Sequence, residues 1–168
     1  DKIIHRYFSD LEAYLRDSCV SKDDPTCFAN TLIKDRLTQV LQKYHEYDVL
    51  LIAHSMGSII AFDVLSTLNK DEHIDTVVTL GSPLGFPVIT ARYFSKQKLT
   101  NTYLKKPALP ECVRPHWYNL SDPEDEVAID HAISDDYETN SFGVSIEDIS
   151  VYNDYVVEGK RNPHKAYG

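Results

Sequence analysis

Ser55 ends the apolar run Leu50-Leu51-Ile52-Ala53-His54 and is followed at once by Met56-Gly57-Ser58. A buried strand that turns abruptly into a helix lifts one serine hydroxyl out of the backbone on a strained corner, the arrangement called a nucleophile elbow. Ala53 and Gly57 stand two positions to either side of the serine. Small residues are expected there because strand and helix cross closely. The helix beginning after Ser55 opens with amide N–H groups that have no partner inside the helix. The first, that of Met56, points to where a negative oxygen forms when a hydroxyl attacks a carbonyl. The segment thus offers a nucleophile and half of an oxyanion hole.

The sequence Ala53-His54-Ser55-Met56-Gly57 resembles the nucleophile motif of the α/β-hydrolase superfamily, and within it that of serine esterases and lipases. The resemblance implies a parallel sheet with flanking helices and a triad in the chain order serine, acid, histidine. In that order, Thr76-Val77-Val78-Thr79-Leu80 reads as the next parallel strand and Gly81-Ser82-Pro83-Leu84-Gly85 as the loop at its active edge. An aromatic strand from His116 to Ser121 then empties into Asp122-Pro123-Glu124-Asp125-Glu126. The resemblance puts the acid at Asp125, the aspartate followed two residues later by valine, with Asp122 as the alternative. Four carboxylates in five positions repel one another, so the place of this loop in the chain order, not its composition, singles it out. Residues 144–153 alternate like a half-buried strand, and the loop after them carries His164, with Tyr167 close behind. The resemblance makes His164 the base.

On this assignment His164 takes the Ser55 proton, Asp125 fixes the imidazole tautomer, and the Met56 amide binds the oxyanion. An acyl-enzyme forms and water releases it. His131 and His116 are alternative bases. His54 is expected to pack or hydrogen-bond beside Ser55, since neighbours on a strand face opposite ways. With Ser82 and Leu84 it is a candidate for lining the pocket. His5, His45 and His73 read as surface positions.

These groups must be positioned by helices and strands. Ile4, Tyr7, Phe8, Leu11 and Leu15 recur at helical spacing over residues 3–16, and Phe28, Leu32, Ile33, Leu37, Val40 and Leu41 do so over 26–44. Two amphipathic helices therefore precede the elbow strand, joined by the turn and capping residues of 21–26. The resemblance covers the C-terminal half of the hydrolase fold: the strands expected before the elbow, one of which brings the second oxyanion donor, do not precede it here. A strand as apolar as residues 49–53 calls for neighbours on both sides, so the expectation is a piece of a longer protein, or a partner chain completing the sheet. Between the second and third strands, residues 86–115 resemble the cap or lid of lipase-like hydrolases. Arg92, Lys96, Lys98, Lys105, Lys106 and Arg114 stand there against Glu111 alone. A lid steering an anionic or lipid-headgroup substrate is one reading, and a solvated basic face is the favoured one.

Length and composition fit a single domain: 168 residues, 42% hydrophobic, with a formal net charge of −9. That charge argues against a nucleic-acid partner and against adhesion to anionic membranes. No apolar run is long enough for stable membrane insertion. Cys19, Cys27 and Cys112 make no paired metal-ligand spacing, no Gly-rich phosphate loop occurs, and no cofactor is expected. An odd cysteine count points to reduced thiols and a cytoplasmic setting, with a Cys19–Cys27 bridge left open. The expected substrate is a small-molecule carboxylic ester or lipid. Thioesterase, amidase and acyltransferase chemistry fit the same residues. A catalytically silent binding or regulatory module is the competing class.

Overall fold

A computed structural model describes residues 2–16, 28–69, 71–165 and 167. The chain comprises two compact units, Asp1–Glu46 and Tyr47–Gly168. In the first unit, helices α1 (Lys2–Leu15) and α2 (Ala29–Lys43) pack on each other. Leu11 and Tyr14 are buried one turn apart on α1, as is Leu41 on α2. The buried Asn30 amide donates to the Tyr14 carbonyl at 3.1 Å. Both helices lie where the apolar spacing places them, while Cys19, Cys27 and most of the intervening turn lie outside the described residues.

In the second unit, strands and connections alternate as β1 (Leu50–His54), α3 (Met56–Leu65), β2 (Ile74–Leu80), α4 (Pro87–Lys98), β3 (Val113–Ser121) and β4 (Ile146–Ser150). The strands form a four-stranded sheet in the order β1-β2-β3-β4, parallel throughout. Apolar strands joined by helical crossovers can pair in no other simple way, because two strands running in the same direction need a long return connection. A two-residue hairpin pair, β5 (Val156–Val157) and β6 (Lys160–Arg161), precedes the histidine loop. The fold is α/β, a parallel sheet with flanking helices.

Helix α3 is apolar on nearly every side and is buried from Ser58 to Leu65 apart from Ile60. Its Phe62 ring meets Tyr93 of α4 at 4.2 Å between centroids, Tyr137 at 5.3 Å and Trp117 of β3 at 6.0 Å. The polar ends of two of these rings are satisfied: Tyr93 donates to the Ile59 carbonyl and Tyr137 to the Leu84 carbonyl. Such aromatic contacts stabilise a core by about 0.5–1.5 kcal/mol each beyond area burial. The segment 86–115, expected as a cap or lid, opens with α4, the connection between β2 and β3, whose Ile89 and Tyr93 are buried. Four of its six basic residues meet partners through their side chains: Arg92 lies 3.9 Å from buried Asp63, Lys98 donates to the Leu104 carbonyl, Lys106 to that of Asp135, and Arg114 stacks on Phe142.

Register across the sheet is held by a polar rung. Thr79, Asn119 and Asp148 stand opposite one another on β2, β3 and β4. The Thr79 hydroxyl donates to Asn119 Oδ1 at 2.9 Å, and Asn119 Nδ2 donates to Asp148 Oδ1 at 2.9 Å. A slip of one residue in either pairing would break these bonds and turn the buried Thr79 and Asn119 to the other face of the sheet. The rung lies near the C-terminal ends of the strands, the edge of an open α/β sheet from which functional loops emerge. On β1, alternate residues Leu50 and Ile52 are 59% and 58% exposed. Among the described residues, no helix is long and apolar enough to cross a membrane.

Candidate active site

Ser55 occupies the corner between β1 and α3 with φ of 56° and ψ of −130°, a left-handed conformation that a serine adopts only when its surroundings hold it there. Its backbone N–H donates to the Leu80 carbonyl at 2.9 Å, which ties the corner to the end of β2. Met56 is the first residue of α3, so helix geometry leaves its N–H without an intrahelical acceptor. The neighbouring glycine is a different matter from the one expected. A Cβ added at Gly57 meets nothing within 4 Å, so crowding at the corner does not demand glycine there. Ala53, on the strand side, is buried.

The loop after β6 brings His164 to the serine. Its Nε2 lies 2.9 Å from Ser55 Oγ, and its Nδ1 lies 2.9 Å from Asp125 Oδ2. A carboxylate only accepts, so Nδ1 carries the proton and Nε2 faces the hydroxyl as an acceptor. Asp125 is itself fixed: Oδ1 accepts from the Val127 amide at 2.8 Å and the Ala128 amide at 3.3 Å. Burial pushes its carboxyl up, but the bonds from His164 and the two amides outweigh burial and hold it below the usual carboxylate range. The three residues lie in one hydrogen-bonded line running from nucleophile to base to acid.

Asp122, the alternative acid, is placed otherwise. Its Oδ1 accepts from the Glu124 amide, and its Oδ2 accepts from the Asn153 amide at 2.7 Å and from the Arg161 guanidinium. Arg161 also pairs with Glu124 and stacks on Tyr152. Arg161 thus offsets the repulsion expected among the carboxylates of this loop, and Asp122 joins β6 to the acid loop instead of facing the base. The two alternative bases are engaged elsewhere: His131 Nδ1 lies 3.0 Å from the Ser121 hydroxyl, and exposed His116 stacks on Tyr118. His73 sits beside Asp75, and His45 meets the Gln42 carbonyl. The side chain of His5 is not among those described.

His54 departs from the expectation that it faces away from its neighbour. Its Nε2 donates to the His164 carbonyl at 2.8 Å, and the two rings lie 4.8 Å apart. The left-handed φ at Ser55 breaks the strand alternation, so both side chains reach the same loop. Burial, opposed by the bond to the His164 carbonyl, holds the His54 imidazole below the ordinary histidine value, so at neutral pH it is an uncharged donor. Ser82 accepts from the Leu84 amide at 3.2 Å and caps the short turn Pro83–Gly85. Leu84 is wholly buried and presents no surface to a ligand.

Two residues near the site carry roles that sequence reasoning did not give them. Gly81, with φ of 52°, packs so tightly that an added Cβ lies 2.7 Å from Asp125 Oδ2, 2.7 Å from Tyr167 Cε2 and 3.2 Å from His164 Nδ1. Its position just after an apolar strand was the available signal. The Tyr167 hydroxyl donates to Asp125 Oδ2 at 3.0 Å. Only its spacing from His164 hinted at this.

A small-residue corner, a left-handed serine, and a histidine and aspartate delivered by later loops of a parallel sheet are features of one hydrolase architecture. Searches among individual curated proteins gave no match. Searches among solved structures gave none either. A family model does match: residues 23–166 fit the one described as the PGAP1-like alpha/beta domain, and the chain belongs to that family, a member of the alpha/beta-hydrolase-like superfamily.

Proposed function

We propose that this protein is a serine hydrolase that cleaves a carboxylic ester or lipid through an acyl-enzyme intermediate. The observation that carries the reading is the line from Ser55 Oγ through His164 to Asp125, with both contacts at 2.9 Å. Family membership supports the hydrolase class, and the geometry supports these three residues as its triad. In the reaction, His164 Nε2 takes the Ser55 proton as Oγ bonds to the substrate carbonyl carbon. The carbonyl π pair moves onto oxygen, which the Met56 N–H stabilises. Collapse expels the alkoxide, which leaves with the proton from Nε2. Water, deprotonated by the same nitrogen, then attacks the acyl carbon; the bond to Ser55 Oγ breaks, the proton on Nε2 returns to Oγ, and the acid is released.

The second oxyanion donor is proposed to come from a strand beside β1, supplied by a further segment or another chain. The outermost place of β1 in the described sheet supports this, since the edge of an apolar parallel strand is ordinarily paired or covered. The deciding experiment is fluorophosphonate labelling with mass-spectrometric mapping, run beside Ser55→Ala. Modification at Ser55, absent from the variant, is the expected result. Folded protein that takes up no label would instead make the domain a silent binding module. A panel of oxygen esters, thioesters and amides then orders the possible leaving groups.

A further inference from the structure

Tyr167 stands next to the acid of the site on a loop that also carries the base. Its hydroxyl accepts from the Asp122 backbone N–H at 2.7 Å and donates to Asp125 Oδ2 at 3.0 Å. A phenol has one proton, and an oxygen already accepting from an amide must aim that proton elsewhere. Here it aims at the one oxygen of Asp125 that also accepts from His164 Nδ1. We propose that Tyr167 is a positioning residue for the triad: it locks the Asp125 oxygen that orients His164 and takes up part of that oxygen's charge. This rests on the serine-hydrolase reading.

The surroundings hold the phenol to this task. Its ring lies against Gly81, where even a methyl group has no room, and 5.7 Å from the ring of His54, which in turn grips the His164 carbonyl. Burial, reinforced by the nearby Asp125 charge, pushes the Tyr167 phenol well above its ordinary value. It therefore stays a donor throughout the pH range of hydrolysis. With Oδ1 held by the Val127 and Ala128 amides, each carboxylate oxygen has its donors assigned, and the carboxylate cannot swing.

Two donors on one oxygen compete, and this predicts a signature that packing alone does not give. Without the phenol proton, Asp125 Oδ2 keeps the bond from His164 Nδ1 but no longer shares its charge with a second donor, so more of that charge bears on the imidazole. Tyr167→Phe keeps the ring and its contact with Gly81. The experiment measures the rate of fluorophosphonate labelling at Ser55 from pH 5 to 9 in the wild type and in Tyr167→Phe, with circular dichroism to confirm folding. The same profile is taken in the Asp125→Asn background. The expected result is a plateau rate about 3- to 10-fold lower and an acid limb moved up by several tenths of a pH unit, with both effects vanishing when Asp125 is already asparagine. A wild type that is not labelled overturns the underlying reading. A labelled wild type with an unchanged limb in Tyr167→Phe, or a loss of rate that persists undiminished beside Asp125→Asn, overturns the role of Tyr167.

Discussion

At the scale of single residues, the site separates two aspartates that composition cannot tell apart. Asp125 faces His164, and Asp122 faces Arg161. Asp125→Asn is expected to lower the labelling rate by about 10³–10⁴-fold, because the amide leaves the imidazole in the wrong tautomer. Asp122→Asn is expected to act chiefly on stability, by about 1–3 kcal/mol, through the charge-assisted bond it weakens. Parallel labelling and urea-unfolding curves for the two variants distinguish the roles. His54 gives a pH dependence of definite sign. Its folded-state value lies below the ordinary histidine value, so the folded chain resists protonating it while the unfolded chain accepts the proton near pH 6.5. Its contribution is thus fully present above pH ~6.5 and declines as pH falls below that. Urea midpoints at pH 7.5 and 5.5 are expected to fall less for His54→Asn than for the wild type. Ser55 was legible because its corner is local: small, apolar and strand-helix signals lie within a few residues. The Asp125 and His164 positions came through the superfamily's chain order, since nothing local distinguishes either from its neighbours. The His54 contact was illegible because a backbone rotation at the next residue redirects it, and no composition rule encodes that.

At the scale of elements, two glycines near the site make opposite demands. Gly57 lies in the first turn of α3 with open space where a Cβ would go, whereas Gly81 ends β2 against three groups of the site. Gly57→Ala is expected to fold normally, label at a similar rate and gain up to about 1 kcal/mol from helix propensity. Gly81→Ala is expected to lose labelling at least about 10-fold and stability by about 1–3 kcal/mol, since it adds a left-handed non-glycine residue to a collision. Thermal melts and labelling rates of the pair check both. The strands and helices themselves were readable from periodicity: β4 falls within its expected segment, while β2 contains the expected Thr76–Leu80 and begins two residues earlier, at Ile74. The segment 86–115 was harder to read. Basic and aromatic residues on a connection look alike whether they cap a pocket or, like Tyr93, anchor a crossover helix to its neighbour. The partners such residues meet are distant in sequence, as Asp63 is from Arg92.

At the scale of the whole molecule, the sequence order of contacts carries a consequence in time. The bond from the Val49 amide, just before β1, to Asp75 of β2 spans 26 residues, whereas the contact of Ser55 with His164 spans 109. Closing a larger loop costs more chain entropy, and contacts of long range form late unless something else holds them. The strands adjoin in chain order, so the sheet and the environment of Trp117 can assemble stepwise from neighbours, while the histidine loop docks on a surface already made. On dilution from denaturant, Trp117 fluorescence is expected to recover before Ser55 becomes reactive to a fluorophosphonate, and simultaneous recovery would argue against this order. A folding intermediate with a finished sheet would then hold an unarmed serine. The long separation between nucleophile and base would act as a built-in delay, keeping the hydroxyl inert until the chain around it is complete.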